Sequence, residues 1–198
     1  MPPTHHDSAA TRARLVRAAE ELYSTLGFLR TTTPMLAARA GIAEGTIYRH
    51  FRGKEQLLDE VCRQSYDWAI DLLLALEGDR VRRVPERLAH FAQSLVAEAA
   101  RNPARVRLLV REDHLDSLGR ESLDRRTKFH TSLSHLVATG KADGLVRTGP
   151  AELWASVWYV VVRHLLEQVA TGAWEPGSPS IPLVIEAAWN AIAVRGNG

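Results

Sequence analysis

The run EGTIYRH, which begins at Glu44, brings hydrogen-bonding groups of several kinds into seven consecutive residues. Thr46 has a hydroxyl that can meet a phosphate and a methyl group that can meet the methyl of thymine. Tyr48 and His50 can donate hydrogen bonds to phosphates. Gly45 has no side chain, so it permits close approach of the backbone to another molecule. These residue types in this order predict contact with nucleic acid.

Positive charge is concentrated around this run, whereas the chain of 198 residues carries a net charge of only +2 at pH 7. Between residues 28 and 54, five positive residues stand against one acid, a surplus of four, so the rest of the chain sums to about −2. The five are Arg30, Arg39, Arg49, Arg52 and Lys54. Such a segment is expected of a surface that faces phosphates, although charge alone fits a solvated surface equally well.

Short helices must position these groups. The segment TRARLVRAAEELYSTLG has apolar residues at helical spacing and ends at Gly27, a good residue to follow a helix. In the next segment, LRTTTPMLAARAG, Gly41 closes a second, short helix. Because the residue before a proline avoids helical angles and proline suits the first helical position, we expect Thr33 to cap this helix, with Thr32 as the alternative.

A third helix is predicted over residues 44–50, and a longer one begins at Lys54. Ile42, Ile47 and Phe51 are apolar and would pin the third helix to the second. Two short helices joined by a tight glycine turn and braced by another helix form a helix-turn-helix, which is typical of DNA-binding proteins. The alternative is a structural helical hairpin that binds nothing.

Residues 11–61, and especially TTPMLAARAGIAEGTIYRHFRGKEQLL, resemble the N-terminal DNA-binding domain of the TetR family of bacterial transcriptional regulators. The resemblance covers about a quarter of the chain. It implies a homodimer that binds a palindromic DNA operator and is released, as a repressor, by a small-molecule effector. The positions that it implies for DNA contact are Thr32, Thr33, Glu44, Gly45, Thr46, Tyr48, Arg49, His50 and Lys54.

Glu44 needs separate treatment, because an acid that faces phosphates is unfavourable. Its carboxylate can accept from the N4 amine of a cytosine in the major groove, or it can stabilise the N-terminus of its own helix electrostatically. Both roles remain open from the sequence, and the hypothesis that Glu44 tunes sequence preference is tested by selecting binding sites for Glu44→Ala.

The remaining sequence predicts only helices, over residues 86–101, 103–112, 120–140, 150–171 and 181–195, and it has no convincing strand or hairpin pattern. We therefore expect an all-α protein with two domains. A DNA-binding domain occupies residues 1–53, of which residues 1–8 are expected to be disordered. A helical domain for effector binding and dimerisation occupies residues 54–198.

Two helices near the C-terminus are apolar around most of their circumference, which predicts burial on more than one side. They are AELWASVWYVVVRHLLEQVATGAW and PLVIEAAWNAIAV, and two from each chain would form a four-helix dimer interface. The alternative is that both are core helices of a monomer. The predicted interface residues are Trp154, Val161, Leu165, Leu183, Val184 and Trp189.

The resemblance also implies an effector cavity in the C-terminal domain, of which the sequence says little. Candidates have polar or aromatic tips on apolar stretches. They are Arg111, His114, Trp154, Trp158, Tyr159, Arg163 and His164. The class of effector remains open, and so does a DNA-binding protein that has no effector.

An enzyme is the competing class, but the sequence has no glycine-rich nucleotide loop, nucleophile elbow or HExxH motif. No metal site or cofactor is predicted, because the eight histidines lack ligand spacing. The single cysteine, Cys62, excludes an internal disulfide, and core packing is expected of it rather than redox sensing. Neither a membrane span nor a secretory signal is indicated, so the expected location is the cytoplasm.

Overall fold

A computed structural model describes residues 5–79, 81–111 and 113–194, and in these ranges the chain is all-helical, as predicted. Its helices are α1 (His5–Thr25), α2 (Thr33–Ala40), α3 (Glu44–His50), α4 (Lys54–Glu77), α5 (Val84–Arg101), α6 (Pro103–Val110), α7 (Arg120–Ala142), α8 (Ala151–Ala170) and α9 (Ser180–Ile192). A 3₁₀ turn, Leu115–Ser117, precedes α7. No helix in the described ranges is long and apolar enough to cross a membrane.

The N-terminal domain is a small three-helix unit in which α2 packs against both α1 and α3. Its core includes Leu15, Leu36, Ile47 and Phe51, all of which are buried. Gly41 ends α2 in the left-handed conformation, with φ +64°, and its N–H points to carbonyls of the last turn of α2. Because this conformation favours glycine, the chain turns sharply into α3.

The C-terminal domain is built from α4 to α9, with α7 packed between α4 and α8, and α8 packed against α9. Aromatic rings fill its interior: Phe91 stacks on Trp158, and Phe129 meets Tyr66 and Tyr159. An isolated antiparallel bridge joins Val146 and Ala193 and holds the end of α9 against the loop after α7.

Two boundaries near the N-terminus differ from the sequence predictions. Helix α1 begins at His5, so the predicted disorder is wrong for residues 5–8, and residues 1–4 lie outside the described part. Ala9 and Ala10 have the highest helix propensity, which favours this early start. Thr32, not Thr33, is the cap of α2, with Pro34 in its first turn, and the Thr32 side chain makes no capping hydrogen bond.

Helices α6 and α9 also end earlier in the chain than predicted. Helix α6 ends at Val110 and α9 ends at Ile192, while residue 112 and residues 195–198 lie outside the described ranges. After α6 the chain turns at Arg111, whose backbone is extended. This turn directs the Arg111 side chain back to α1, where its Nη1 donates to the Ser24 carbonyl at 3.2 Å.

Candidate nucleic-acid interface

Helix α3 presents one polar face outward and one apolar residue inward. Gly45, Tyr48 and Arg49 are exposed, Tyr48 to 57%, whereas Ile47 is completely buried. Thr46 and His50 are half-buried at the edges of the exposed face. A helix of seven residues is not stable alone, so burial of Ile47 against the N-terminal core holds this face in place.

Gly45 lies on an open part of the surface. A Cβ atom built on it would meet no atom within 4 Å, and its φ is not among the positive ones. The chain itself therefore gives no reason for glycine at this position, because alanine would fit and would favour the helix. Close approach by another molecule is a reason that remains.

The side chains of Thr33 and Glu44 join the first residues of α2 and α3. The Thr33 hydroxyl donates to Oε1 of Glu44, with 3.0 Å between the two oxygens. Thr33 is half-buried, whereas Glu44 and Thr32 are exposed. Of the two threonines predicted at this place, Thr32 is the exposed one, and its side chain makes no capping hydrogen bond.

Lys54 was predicted to face phosphate, and its ammonium group instead lies against the N-terminal domain. Its Nζ donates to the carbonyls of Phe28 and Thr31 at 3.3 and 3.2 Å and lies 4.5 Å from the centre of the Phe28 ring. Tyr23 donates its hydroxyl to the Lys54 carbonyl at 2.9 Å. These contacts make Lys54 a link between α4 and the turn that joins α1 and α2.

The positive residues of the window divide into two groups. Arg39 forms an ion pair with Glu21 and so ties α2 to α1. Arg30, Arg49 and Arg52 are exposed, and none of them has an acidic partner among the residues that the structure describes. Arg30 and Arg52 are absent from the predicted contact set, and their place in the basic window was the signal that could have included them.

A joint between the two domains forms where α6 ends. Arg111 donates to the Ser24 carbonyl of α1 and pairs with Asp113, which holds the pKa of Arg111 above and that of Asp113 below the usual ranges. His114, next to them, is buried and its Nε2 has no hydrogen-bond partner within the described part of the chain. Burial lowers the pKa of His114, and the Asp113 carboxylate opposes this shift.

The predicted effector residues do not converge on one cavity. Arg111 and His114 lie at the joint, whereas Trp158 and Tyr159 are buried in the aromatic interior. Trp154 donates to the Thr148 carbonyl at 3.0 Å at the start of α8. The other two lie further along α8, where Arg163 is half-buried and His164 is exposed beside the Trp174 ring.

A polar groove between α7 and α8 was missed by sequence reasoning. It has a volume of about 440 Å³ and is lined by Arg126, Thr127, His130, Thr131, Ser134, His135, Glu152, Ala155 and Ser156. The His130 ring stands edge-on to the Tyr159 ring, so the groove reaches the aromatic interior. The residues that line the groove lie on two different helices, and their spacing along the sequence does not indicate that they meet.

The outer side of α8 and α9 is unusually apolar. Leu183 is 65% exposed, and Leu153, Val160 and Val194 are exposed by about half. Of the predicted interface residues, Trp154, Val161, Val184 and Trp189 are half-buried. Leu165 is wrong as an interface residue, because it is completely buried inside the chain itself. Its position one helical turn beyond Val161 could not reveal that α8 turns this side inward.

The sequence predicts that Cys62 packs in the core and that the chain has no metal site, and the structure shows the surroundings of these groups. Cys62 is buried, and burial raises the pKa of its thiol to about 12, so it stays protonated and unreactive at neutral pH. Among the described residues no cluster of three or more histidine, cysteine or acidic side chains could hold a metal ion.

The sequence and the fold were compared with those of known proteins. Residues 15–61 match the family described as bacterial regulatory proteins, tetR family. The transcriptional repressor KstR2 of Mycolicibacterium smegmatis is 37% identical over 67 residues, which span about a third of each chain, 34% and 33%. The activity and partners of that repressor therefore do not transfer to the whole chain.

Two solved structures have the same fold. A TetR family transcription regulator from Marinobacter aquaeolei VT8 is 24% identical, with a TM-score of 0.79, over 97% of this chain and 100% of the other. A complex of SmeT with triclosan is 20% identical, with a TM-score of 0.69, over 94% and 93% of the two chains. At these identities the likeness shows the fold alone.

Proposed function

We propose that this chain, whose residues 15–61 match the tetR family of bacterial regulatory proteins, is a homodimeric repressor that binds a palindromic DNA operator. The observation that carries this proposal is the outward face of α3, where Gly45, Tyr48 and Arg49 are exposed, with the exposed Arg52 following directly after the helix. The face combines hydrogen-bonding groups, positive charge and an open glycine, which is what the phosphates and base edges of a major groove require.

The role proposed for each residue of this face follows from its exposure and its position on α3. Gly45 and Thr46 lie at the start of α3, where a helix that enters a major groove brings its backbone and base-reading residues closest to the bases. Tyr48, Arg49 and His50 follow at the phosphate wall, with Thr32 on the opposite side. We assign the DNA-binding role to residues 1–53 and the remaining roles to residues 54–198, although α4 joins the two through Lys54.

A dimer is proposed because one such domain reaches only one half-site. The apolar surface on α8 and α9 supplies the partner face, with Leu153, Val160, Val161, Leu183 and Val184 as its centre. Monomeric proteins seldom expose a contiguous apolar surface of this kind. The two DNA-binding domains would then be held at a spacing set by this interface, with the protein acting in the cytoplasm.

The proposal also includes release of the protein from DNA by a small-molecule effector. One structural neighbour is a complex with triclosan, and this chain has a groove of about 440 Å³ next to Tyr159 that can hold a small molecule. A ligand that binds better to the spacing that does not fit DNA weakens DNA binding, and DNA weakens the binding of that ligand by the same factor. The contact from Arg111 to Ser24 joins the two domains and offers a route for this coupling.

The test is a fluorescence-anisotropy titration of the purified protein against DNA from upstream of its own gene and against fragments selected from random sequences. We expect saturable binding by wild type, weakened by Tyr48→Ala and unchanged by Leu123→Ala, a matched control on the exposed surface of α7. Binding should also weaken steeply with salt, by about 10³-fold between 50 and 200 mM if six or more phosphates are contacted.

Three results would revise the proposal in different ways. Failure to select any sequence would leave the N-terminal domain as a structural hairpin. Binding that depends little on salt would contradict the phosphate contacts given to Tyr48, Arg49 and His50. Sequence-specific binding that no compound in a small-molecule library alters would favour a DNA-binding protein without an effector.

A further inference from the structure

In the described part of the chain, the side chains of Thr33 and Glu44, two residues predicted to touch DNA, already bind each other. The donor oxygen of Thr33 lies 3.0 Å from Oε1 of Glu44, and the two residues begin α2 and α3. A threonine hydroxyl has a single hydrogen. While Glu44 accepts this hydrogen, Thr33 cannot donate it to a phosphate.

The same contact fixes the direction of the Glu44 carboxylate. Threonine is branched at Cβ and stiff about χ1, and Thr33 is half-buried, so its hydroxyl is a well-defined donor. Glu44 is exposed and would otherwise sample many rotamers. One oxygen accepts from Thr33, and within the described residues the other oxygen, Oε2, has no hydrogen-bond partner and can accept from another molecule.

The chemistry of base edges then selects a partner for Oε2. In the major groove a carboxylate is repelled by the acceptors of guanine and by O4 of thymine, and it is attracted by exocyclic amines. Adenine carries the acceptor N7 beside its N6 amine, whereas cytosine has no acceptor beside N4. A carboxylate that cannot donate is therefore best matched to cytosine.

We propose that Thr33 is a positioning residue for base recognition, whose hydroxyl holds the Glu44 carboxylate against the exocyclic amine of one cytosine in each half-site. The inference rests on the proposed function and adds to it the identity of one base and the residue that orients its reader. It also explains why an acid is tolerated on a face that otherwise attracts phosphates, because Thr33 turns its charge away from the backbone.

The experiment selects binding sites from random double-stranded DNA for wild type, Glu44→Gln, Thr33→Val and Thr33→Ser, and then measures affinity for the four single-base variants of the selected site. Wild type should select cytosine at one position of each half-site. Glu44→Gln should select adenine there, because an amide accepts from N6 and donates to N7. Thr33→Val should lower the preference for cytosine at least about fivefold, while Thr33→Ser retains most of it.

The outcomes separate this inference from the proposed function. If wild type selects a sequence but Thr33→Val weakens all four variants equally and lowers the salt dependence, Thr33 is a phosphate contact and the inference is wrong. It is equally wrong if Glu44→Gln leaves the selected base unchanged. If wild type selects no sequence at all, the proposed function fails first and the inference falls with it. Thermal unfolding of each variant shows that the differences do not come from loss of fold.

Discussion

The N-terminal and C-terminal domains differ in how their functional residues are spaced along the chain. Every predicted DNA contact lies between residues 32 and 54, on two short helices, the residue before α2 and the first residue of α4. The candidate effector residues lie between residues 111 and 164, on α8 and in the segment after α6, and their neighbours in the fold are distant in sequence. The first surface is built by local turns, and the second is built by packing.

This difference decides whether the candidate site of each domain can be recognised from the spacing of residues along the sequence. A tight turn at Gly41 fixes α3 relative to α2, so spacing along the sequence becomes spacing in the molecule. In the C-terminal domain the groove between α7 and α8 brings His130 next to Tyr159, residues that lie far apart in the chain. The predictions below change one domain at a time, so that the effect of each on the other can be measured.

The largest effect is expected from Leu183→Glu, which places a charge on the exposed apolar side of α9. Leu183 is 65% exposed, so the fold of one chain should be retained, while burial of the charge at a dimer interface would be costly. We expect a monomer by sedimentation and a loss of operator affinity of about 10²–10⁴-fold, because linkage of two DNA-binding domains is lost.

Leu74→Glu is the matched control, since Leu74 is also a partly exposed leucine, on α4. It should leave both the oligomeric state and the operator affinity unchanged. A Leu183→Glu protein that remains dimeric with full affinity would contradict the assignment of α8 and α9 to the interface. The DNA-binding domain would then depend on the C-terminal domain through some other surface.

The fold and the exposure of much of the α3 face could be predicted from the sequence, and the exceptions have physical causes. Proline and glycine positions and apolar periodicity determine helices α2 to α9 closely. The direction of the Lys54 side chain depends on carbonyls 23 and 26 residues earlier in the chain, which no local pattern identifies. The burial of Leu165 and the edge-on contact between His130 and Tyr159 likewise depend on tertiary packing.

A smaller effect, opposite in sign for stability and for binding, is expected from Gly45→Ala. The added methyl group meets no atom of the chain within 4 Å, and alanine favours the helix over glycine by up to about 1 kcal/mol. The free protein should therefore be at least as stable in thermal unfolding. If the α3 backbone lies close to DNA, the methyl group will lower operator affinity by roughly tenfold, or about 1.4 kcal/mol.

Gly177→Ala is the control for the general effect of replacing a glycine, because a Cβ there also meets no atom within 4 Å and the position lies between α8 and α9. It should not alter DNA affinity. An unchanged affinity for Gly45→Ala would show that the start of α3 does not approach the DNA closely. That result would move recognition to Tyr48 and Arg49.

The smallest effect is expected at the joint between the two domains, where the buried His114 makes the stability of the fold depend on pH. Burial lowers the pKa of His114 in the folded chain from its usual value of 6.5, so the unfolded chain binds a proton first as the pH falls. The stabilisation is complete above pH 6.5 and is lost progressively below it, until the folded chain is protonated too. His114→Gln should therefore show a smaller fall in Tm between pH 7.5 and pH 5.5 than wild type.

His135→Gln is the control, because His135 is exposed and lies away from the joint on α7. It should retain the full pH dependence of wild type. If His114→Gln also retained the full pH dependence, the Nε2 atom of His114 would have a hydrogen-bond partner in solution that offsets the cost of its burial. A further outcome is that acidification weakens operator binding by wild type and weakens it less for His114→Gln. In that case the contact between Arg111 and Ser24 would transmit the pH-dependent stability of the C-terminal domain to α3. The two domains would then be coupled by tertiary packing and not by a sequence motif.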